Sequence, residues 1–373
     1  MPGFLKKKRT WFGLLLVIVL GVGFMLFQSA AKTKKEEQAK AAATKVESPY
    51  AAIANGKVDV EGGIIQIAAR RGGIVREVLV QEGERVTAGQ ILARQEDDEP
   101  RLAVQSAAAA VAQAHERAWR RFADLLQELV DELPALRAPV GEACPLRGVV
   151  ARRMWEACRP FRQGFITPMA AVAGAVAQEI LACYTLGGIE RAWVNNGGDI
   201  ALHLMPGRSA AVGVYSDIAA LDAAQLRHGL VLDGRIRIDS AMPVRGVATS
   251  GWRGRSQSLG IADSVTVLAR TAAQADAAAT IVANAVNVQD ARIVRRPACE
   301  VRDDSDLGAI PVTVDVPALP PAQVRRALQQ GLQKAQELQS AGLLWFALLA
   351  CQGQVAATAQ EAAVEAQVGS VFA

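Results

Sequence analysis

Short runs of β-forming residues alternate with Ala-rich helical segments across the second half of the chain, and this alternation most constrains its fold. The runs are RAWVN, DIALHL, AAVGVY, LVLDGRIRI, SVTVLA and PVTVDV. Helices are predicted between or after them over 271–287, 320–338 and 341–351. Strands interleaved with helices are typical of an α+β or α/β domain, which can bury a sizeable core.

Two further helices are predicted upstream of these strands. One begins at Thr167-Pro168, where a threonine N-cap precedes a proline at the first helical position, and runs to Gly187-Gly188. The other ends at Pro134 and carries apolar residues at i, i+3 and i+4 spacing, which predicts an amphipathic helix. Its apolar positions are Trp119, Phe122, Leu125, Leu126, Leu129, Val130 and Leu133.

The first 31 residues predict a membrane anchor. A basic cluster at 6–9 precedes an uncharged run from Trp11 to Phe27, and about 17 residues is the lower end of what spans a bilayer as a helix. The basic cluster predicts a cytoplasmic N-terminus, hence a single-pass inner-membrane protein with most of the chain in the periplasm. A cleaved signal peptide ending near Ser29-Ala30-Ala31 is the alternative. Residues 32–55 are predicted to form a charged linker.

Residues 56–99 consist of short strand-forming runs broken by glycines. The segment GGIVREVLVQEGERVTAGQILARQ resembles half of the lipoyl-type β-sandwich of periplasmic adaptor (membrane fusion, HlyD-type) proteins. An Ala-rich helix over 100–117 would then start the helical hairpin of such a protein. The resemblance implies an alternative function as the adaptor subunit of a secretion or efflux system, although its return arm, second half-motif and β-barrel are not found in the sequence.

Several classes of site are excluded by the distribution of reactive residues. All of the lysines except Lys334 lie at or before Lys57, so the middle of the chain offers no P-loop, Schiff-base or carrier lysine. Five scattered cysteines and three histidines form no zinc motif. A net charge of +4 is too small to indicate a nucleic-acid partner.

Two loops carry residues that can contact a ligand. Asn195–Asp199 (NNGGD) permits positive φ and close backbone approach, and Asp199 can bind a hydroxyl or a metal; a plain hairpin turn is the alternative. Residues 245–258 (RGVATSGWRGRSQS) combine arginines with glycine-flanked amides, which is typical of phosphate binding; a solvated basic loop is the alternative. The candidate ligand-binding residues are Asn196, Gly197, Gly198, Asp199, Thr249, Ser250, Arg253 and Arg255.

A third feature is the pair Asp276 and Thr280 in the segment ADAAATIVANAV. Residues four apart on a helix lie on the same side, and hard oxygen ligands of this kind suit Mg²⁺. A hydrogen bond from Thr280 to its own helix backbone is the alternative. No residue is assigned a catalytic role.

Taken in this order, NNGGDI, VATSG and SVTVLA followed by ADAAAT resemble the ApbE-type transferases, which attach FMN from FAD to a threonine of a partner protein and use Mg²⁺. Longer blocks, among them AWVNNGGDIALHL and DSDLG, are more similar to a sister family, the ApbE-like proteins of uncharacterised function. The resemblance covers about residues 115–353. It implies that Asp276, Thr280, Asp199 and the glycine-rich turns hold Mg²⁺ and the diphosphate of the ligand. Within this hypothesis, we expect Asp199 to bind ligand hydroxyls and the loop residues Arg253 and Arg255 to bind the phosphates of FAD or FMN.

The sequence departs from the transferase pattern at three places. Ala173 replaces a lysine before the helix glycine, and Gln178 replaces an aspartate four residues beyond it. The segment WRGRSQSLGIAD replaces the His/Asp-Pro/Thr-Gly segment that follows VATSG in the transferases. These departures weigh against FMN transfer and leave the binding of a flavin nucleotide or another diphosphate with Mg²⁺.

The sequence therefore predicts an α+β protein in which a mixed α/β ApbE-like domain follows a transmembrane helix and a partial lipoyl-like sandwich. Its expected partners are the inner membrane and either a transporter complex or a flavinylation target protein, with no nucleic acid. The predicted segments are 1–31 (anchor), 32–55 (linker), 56–99 (half lipoyl-like module), 100–117 (helix and junction), 118–353 (ApbE-like domain) and 354–373 (Ala-rich tail).

Overall fold

The computed structural model describes residues 56–60, 63–67, 69, 72–185, 188–214, 234–254 and 256–359. The predicted anchor and the linker, residues 1–55, lie outside the described residues. Within the described ranges, no helix is both long and apolar enough to cross a membrane. The chain divides into two units, Met1–Leu102 and Ala103–Ala373.

The described residues of the first unit form two antiparallel strand pairs. Strand β1 (Gly56–Val60) pairs with β2 (Gly63–Ile67), and β3 (Val75–Val78) pairs with β4 (Ala93–Gln95). The glycine-broken pattern therefore does form short strands. A two-stranded pair buries little apolar surface, and Ile74 and Val78 are accordingly 71% and 66% exposed.

The segments predicted as two helices, over 100–117 and up to Pro134, form one continuous helix, α1 (Asp98–Asp131). No glycine or proline interrupts the chain between Arg101 and Asp131, so nothing ends the helix at the expected junction. Its apolar positions do not all face the core: Leu125 is buried, whereas Trp119 and Leu126 are exposed.

Two helices follow α1 before the next predicted one. The short α2 (Leu133–Leu136) comes directly after it, and α3 (Val149–Cys158), which was not predicted, begins after Gly148. The carboxylate of Glu132 accepts hydrogen bonds from the backbone N–H groups of Arg147 (2.6 Å) and Gly148 (2.7 Å). This carboxylate satisfies donors at the start of α3 that the helix itself leaves unpaired.

The helix predicted from Thr167 begins as a 3₁₀ turn, Pro168–Ala171, and continues as α4 (Val172–Ala182). Thr167 has the extended backbone of an N-cap, but its side chain makes no capping hydrogen bond. The Thr167 hydroxyl instead donates to the carboxylate of Asp306. The helix start was placed correctly, and the role given to the threonine side chain was wrong.

The described residues of the second unit contain ten strands: β5 (Arg191–Asn196), β6 (Asp199–Leu204), β7 (Ser209–Val214), β8 (Gly234–Asp239), β9 (Gly246–Ser250), β10 (Ser264–Ala269), β11 (Val294–Pro297), β12 (Pro311–Asp315), β13 (Phe346–Cys351) and β14 (Gln354–Ala357). Six of them form an antiparallel sheet at the centre of the unit, with strand order β14-β13-β10-β9-β6-β5. The other four form two further pairs outside this sheet, β7–β8 and β11–β12.

The predicted helix over 341–351 is wrong, because this segment contains strand β13. Helix α7 (Pro321–Ser340) ends just before Gly342, whose φ of 71° reverses the chain, and FALLAC then pairs with β10. Strand β9 was also not predicted, since its residues lie within the loop proposed over 245–258. A short apolar run does not distinguish a buried strand from a buried helix.

Helices cover one face of the sheet and the β7–β8 pair covers the other. Val265 and Val267 of β10 pack in a core with α5 (Ala272–Ala285) and α7, whereas Leu268 packs with Ile236 and Ile238 of β8. Strand β10 is buried along its whole length, as expected for a central strand covered on both faces. The short helix α6 (Ala298–Val301) lies between β11 and β12.

Candidate functional site

The Asn195–Asp199 segment is the hairpin turn between β5 and β6. Asn196 pairs with Asp199, which leaves Gly197 and Gly198 as a two-residue loop with φ of 71° and 116°. Two consecutive positive φ values favour glycine and match the twist of the flanking strands. The turn places Asp199 at the first position of β6, where it is only 9% exposed.

Asp199 is a buried carboxylate with a single hydrogen bond from a neighbouring strand. Its Oδ1 accepts from the backbone N–H of Thr249 over 3.2 Å, and the Thr249 hydroxyl lies 3.0 Å from that of Thr266. Burial raises the pKa of Asp199 to about 7, and the hydrogen bond from Thr249 opposes this rise. Near neutral pH, this carboxyl group therefore changes charge.

Asp276, on α5, is the second carboxylate of the site. Its Oδ2 accepts from the backbone N–H of Gly174 over 2.9 Å. Burial raises its pKa well above the ordinary value, and the negative charge of Asp199 adds to the rise. Hydrogen bonds from the N–H groups of Gly174 and Ala173 oppose it. Asp199 and Asp276 are thus close enough to repel each other, and we call them the carboxylate pair.

The carboxylate pair depends on a close crossing of α4 and α5. A Cβ at Gly174 would lie 2.3 Å from the carbonyl oxygen of Ala272, so only glycine permits this approach. The Asn196 side chain donates to the carbonyl of Ala173 over 3.2 Å, which ties the β5–β6 turn to the same end of α4. Three elements that are distant in sequence therefore meet at the pair.

The structure does not bring every proposed ligand-binding residue to this point. Thr280 lies one turn beyond Asp276 on α5 and is partly buried, and Ser250 ends β9 beside Thr249. Arg253 instead lies with its Nε 3.4 Å from Oδ1 of Asp263 and its guanidinium 5.2 Å above the ring of Trp252. Arg255 lies outside the described residues.

Two residues at the site were given no role in it by the sequence. Gly174 sets the helix crossing, and an isolated glycine in an Ala-rich helix is a signal that could have found it. Burial raises the pKa of the Cys158 thiol, and the nearby charge of Asp276 raises it further. For Cys158 the sequence carries no comparable signal.

The site offers few acidic ligands to a cation. In the part of the chain that the structure describes, no three His, Cys, Asp or Glu side chains come together to hold a metal ion. Two carboxylates and nearby hydroxyls are what remains. This set does not suit zinc, which takes three or four nitrogen or sulfur ligands, but it suits Mg²⁺, which keeps waters and takes ligand phosphates.

Curated proteins similar to this chain are UPF0280 proteins of archaea. Those of Methanopyrus kandleri, Methanothermobacter thermautotrophicus and Methanothrix thermoacetophila are 39%, 38% and 36% identical over 157, 147 and 149 residues. The matches cover 42%, 39% and 40% of this chain and 56%, 53% and 55% of those proteins. The chain thus spans about half the length of the curated relatives it matches.

A crystal structure of the ApbE protein from Thermotoga maritima is 17% identical and has a TM-score of 0.30, with 71% of this chain and 77% of that chain covered. The matched relatives give no support to the resemblance between the N-terminal part and periplasmic adaptors. The model of the family described as AbpE bacteria matches residues 86–357, well over half of the sequence. The chain therefore belongs to this ApbE-like family.

Proposed function

We propose that this protein binds a diphosphate together with Mg²⁺ at the carboxylate pair, and that a flavin nucleotide is the first candidate ligand. The observation that carries the proposal is the pair itself: burial raises the pKa of the partly buried Asp276 carboxylate, and the charge of the buried Asp199 carboxylate raises it further. Two negative charges held together out of water need a proton or a cation between them. A divalent ion would fill that role and allow both groups to ionise.

The donor set favours Mg²⁺ on a phosphate ligand over a structural metal. Asp199, Asp276 and Thr280 provide oxygen atoms only, and they are too few to complete an octahedral shell, so waters and phosphate oxygens would supply the rest. When bound, the ion would neutralise phosphate charge. The chain's own contribution is to fix Asp276 against the N-terminus of α4 through the N–H groups of Gly174 and Ala173.

Binding, and not FMN transfer, is the part of the family chemistry that these residues support. Ala173 offers only backbone groups: its N–H donates to Asp276 and its carbonyl accepts from Asn196. The amide of Gln178 carries no charge, and Arg253 lies in an ion pair with Asp263. We therefore assign neither a general base nor a phosphate-binding cationic side chain to this site.

The test is titration of the full-length chain with FAD, ADP and riboflavin, each with Mg²⁺ and with EDTA. We expect FAD and ADP to bind only with Mg²⁺ and riboflavin not to bind, since the diphosphate is the recognised group. Asp199→Asn and Asp276→Asn should each weaken binding at least tenfold, while Asp315→Asn, at an exposed position on β12, should not change it. Equal binding with EDTA, or in both site variants, would contradict the proposal.

A further inference from the structure

Helix α1 presents a long, largely apolar seam to solvent beside its buried face. Ala114, Ala118 and Leu125 form its buried face. From Ala108 to Leu126 the exposed seam alternates steps of four and three residues, the heptad spacing of helices that pair with another helix, and a further step of four reaches Val130. Its members are Ala108, Ala112, His115, Trp119, Phe122, Leu126 and Val130, all of them exposed.

The exposure of this seam is large. Trp119 is 66% exposed, Phe122 is 54% exposed and Leu126 is 72% exposed. Aromatic side chains bury about 150–250 Å² each when covered, and a continuous apolar patch of several hundred Å² on a soluble domain marks an interaction site. From Ala108 to Val130 the seam is about 33 Å long at 1.5 Å per residue.

We propose that the seam pairs with the same seam of a second copy of this chain, with the two α1 helices antiparallel and the two-fold axis at Trp119. The seam has a small half, with Ala108 and Ala112, and a large half, with Phe122, Leu126 and Val130. An antiparallel pair centred on Trp119 sets Leu126 opposite Ala112 and Val130 opposite Ala108. Leu126 and Val130 then each face an alanine, which leaves room for the larger side chain, and Trp119 faces its own counterpart at the axis.

A depression beside the seam provides the hole for this packing. It has a volume of about 710 Å³ and is lined by Ala112, His115 and Phe122 of α1 and by Ile180 and Tyr184. The Nδ1 atom of His115 lies 2.9 Å from the Tyr184 hydroxyl, and the rings meet edge to face, which fixes this wall. The antiparallel arrangement brings Phe122 of the second copy over His115.

Charges along the edge of the seam favour the same arrangement. Glu116 and Arg120 form an exposed ion pair within α1, with Arg120 Nε 3.0 Å from Glu116 Oε1. In the antiparallel pair, Glu116 of one copy lies about 3 Å along the axis from Arg120 of the other. Each copy's Glu116 therefore lies beside the other copy's Arg120. Parallel helices would instead set each alanine opposite the same alanine and leave voids between them. The contact is isologous and closes at two copies.

The experiment is sedimentation velocity of the full-length chain in a non-ionic detergent, at micromolar chain concentration. We expect a reversible dimer whose dissociation constant rises at least tenfold in Leu126→Glu and Trp119→Glu. Trp193→Glu is the matched control, because Trp193 is a 59% exposed tryptophan on β5, and it should leave the dimer unchanged. A monomeric wild type, or a dimer that Leu126→Glu leaves intact, overturns the proposal.

The orientation is tested by disulfide cross-linking. Trp119→Cys should cross-link to itself, since it lies at the axis, and Leu126→Cys should cross-link to Ala112→Cys in a mixture of the two variants. Self-cross-linking of Leu126→Cys would mean a parallel pair and overturn the antiparallel one. All three positions are exposed, so thermal unfolding of each variant should match the wild type, which separates loss of pairing from loss of folding.

Discussion

The Asp276 carboxylate accepts a hydrogen bond from the backbone N–H of Gly174 over 2.9 Å, although the two residues are 102 positions apart. With the second hydrogen bond from Ala173, Asp276 caps the first turn of α4 from another helix. A helix leaves its first N–H groups unpaired, and an anion placed there is favoured by the helix dipole. The residue that we propose as a ligand of Mg²⁺ therefore also stabilises the start of α4.

This double role separates two substitutions of Asp276. Asp276→Ala should lower the free energy of unfolding by about 2 kcal/mol, because it leaves buried N–H groups without an acceptor. Asp276→Asn keeps an acceptor oxygen and removes a charge whose burial is unfavourable, so its stability at pH 8 should equal or exceed that of the wild type. Urea unfolding of the three proteins measures the order. An alanine variant as stable as the wild type would show that the cap contributes nothing.

Because the pKa of Asp199 is raised in the folded protein, we expect the free energy of unfolding to fall as the pH rises. Its pKa is about 7 in the folded chain and about 3.9 in an unfolded chain, so between these values the folded state holds a proton that the unfolded state has lost. The contribution is fully present below about pH 4 and is lost as the pH rises to about 7, with a slope of at most about 1.4 kcal/mol per pH unit.

The measurement is the free energy of unfolding in EDTA from pH 4 to 8, for the wild type and for Asp199→Asn. The asparagine variant should lose a large part of the decline, because it has no proton to give up at this position. Asp315→Asn serves as the control and should keep the wild-type slope. A wild type whose stability rises through this window, with Asp199→Asn unchanged, would show that Asp199 is not a buried, proton-holding group.

The sequence predicts a local element well where its residue pattern is compatible with only one type of secondary structure. The runs RAWVN, DIALHL and SVTVLA all became strands, because β-branched and apolar residues there are bounded by turn residues. FALLAC was predicted as a helix because an apolar run without alternation suits either element when it is buried. The segment is a strand because it pairs with β10, which lies about 80 residues earlier in the sequence.

The candidate site, too, could be predicted only in part from the sequence. Asp199 and Asp276 were chosen from the sequence, and the structure brings them together. The capping of α4 by Asp276 had no signal, since its partner is remote in sequence. Arg253 was expected to bind phosphate, and the structure places it beside Asp263. Which partner a charged side chain takes depends on packing that a local pattern does not contain.

Gly174→Ala should destabilise the protein although alanine is the better helix former. Alanine favours a helix over glycine by about 1 kcal/mol, but here its Cβ would lie 2.3 Å from the Ala272 carbonyl oxygen, and a backbone atom cannot turn aside. We expect a net loss of about 2 kcal/mol in thermal unfolding. Gly141→Ala, where nothing lies within 4 Å of the added Cβ, should change stability by less than about 0.5 kcal/mol. Equal effects of the two substitutions would argue against the close crossing.

Glu179 joins α1, α3 and α4 through a partly buried ion-pair network. Its carboxylate accepts from Arg121 over 2.8 Å and from Arg153 over 2.9 Å, and Arg121 also pairs with Glu128. Burial alone would raise the pKa of Glu179, but the two arginine hydrogen bonds outweigh it and lower the pKa. The network therefore stabilises the charged form of Glu179.

Removing Glu179 should cost more than removing an exposed acidic partner. Glu179→Ala leaves Arg153 partly buried and without its carboxylate, and we expect a loss of about 2 kcal/mol once the partial exposure of the network is allowed for. The loss should shrink at low pH, because protonation of Glu179 in the wild type weakens the same contacts. Glu337→Ala, which removes the exposed Lys334 pair, should give no measurable change in urea unfolding. If both variants unfold at the wild-type midpoint, the Arg121–Glu179–Arg153 contacts do not stabilise the packing of these helices.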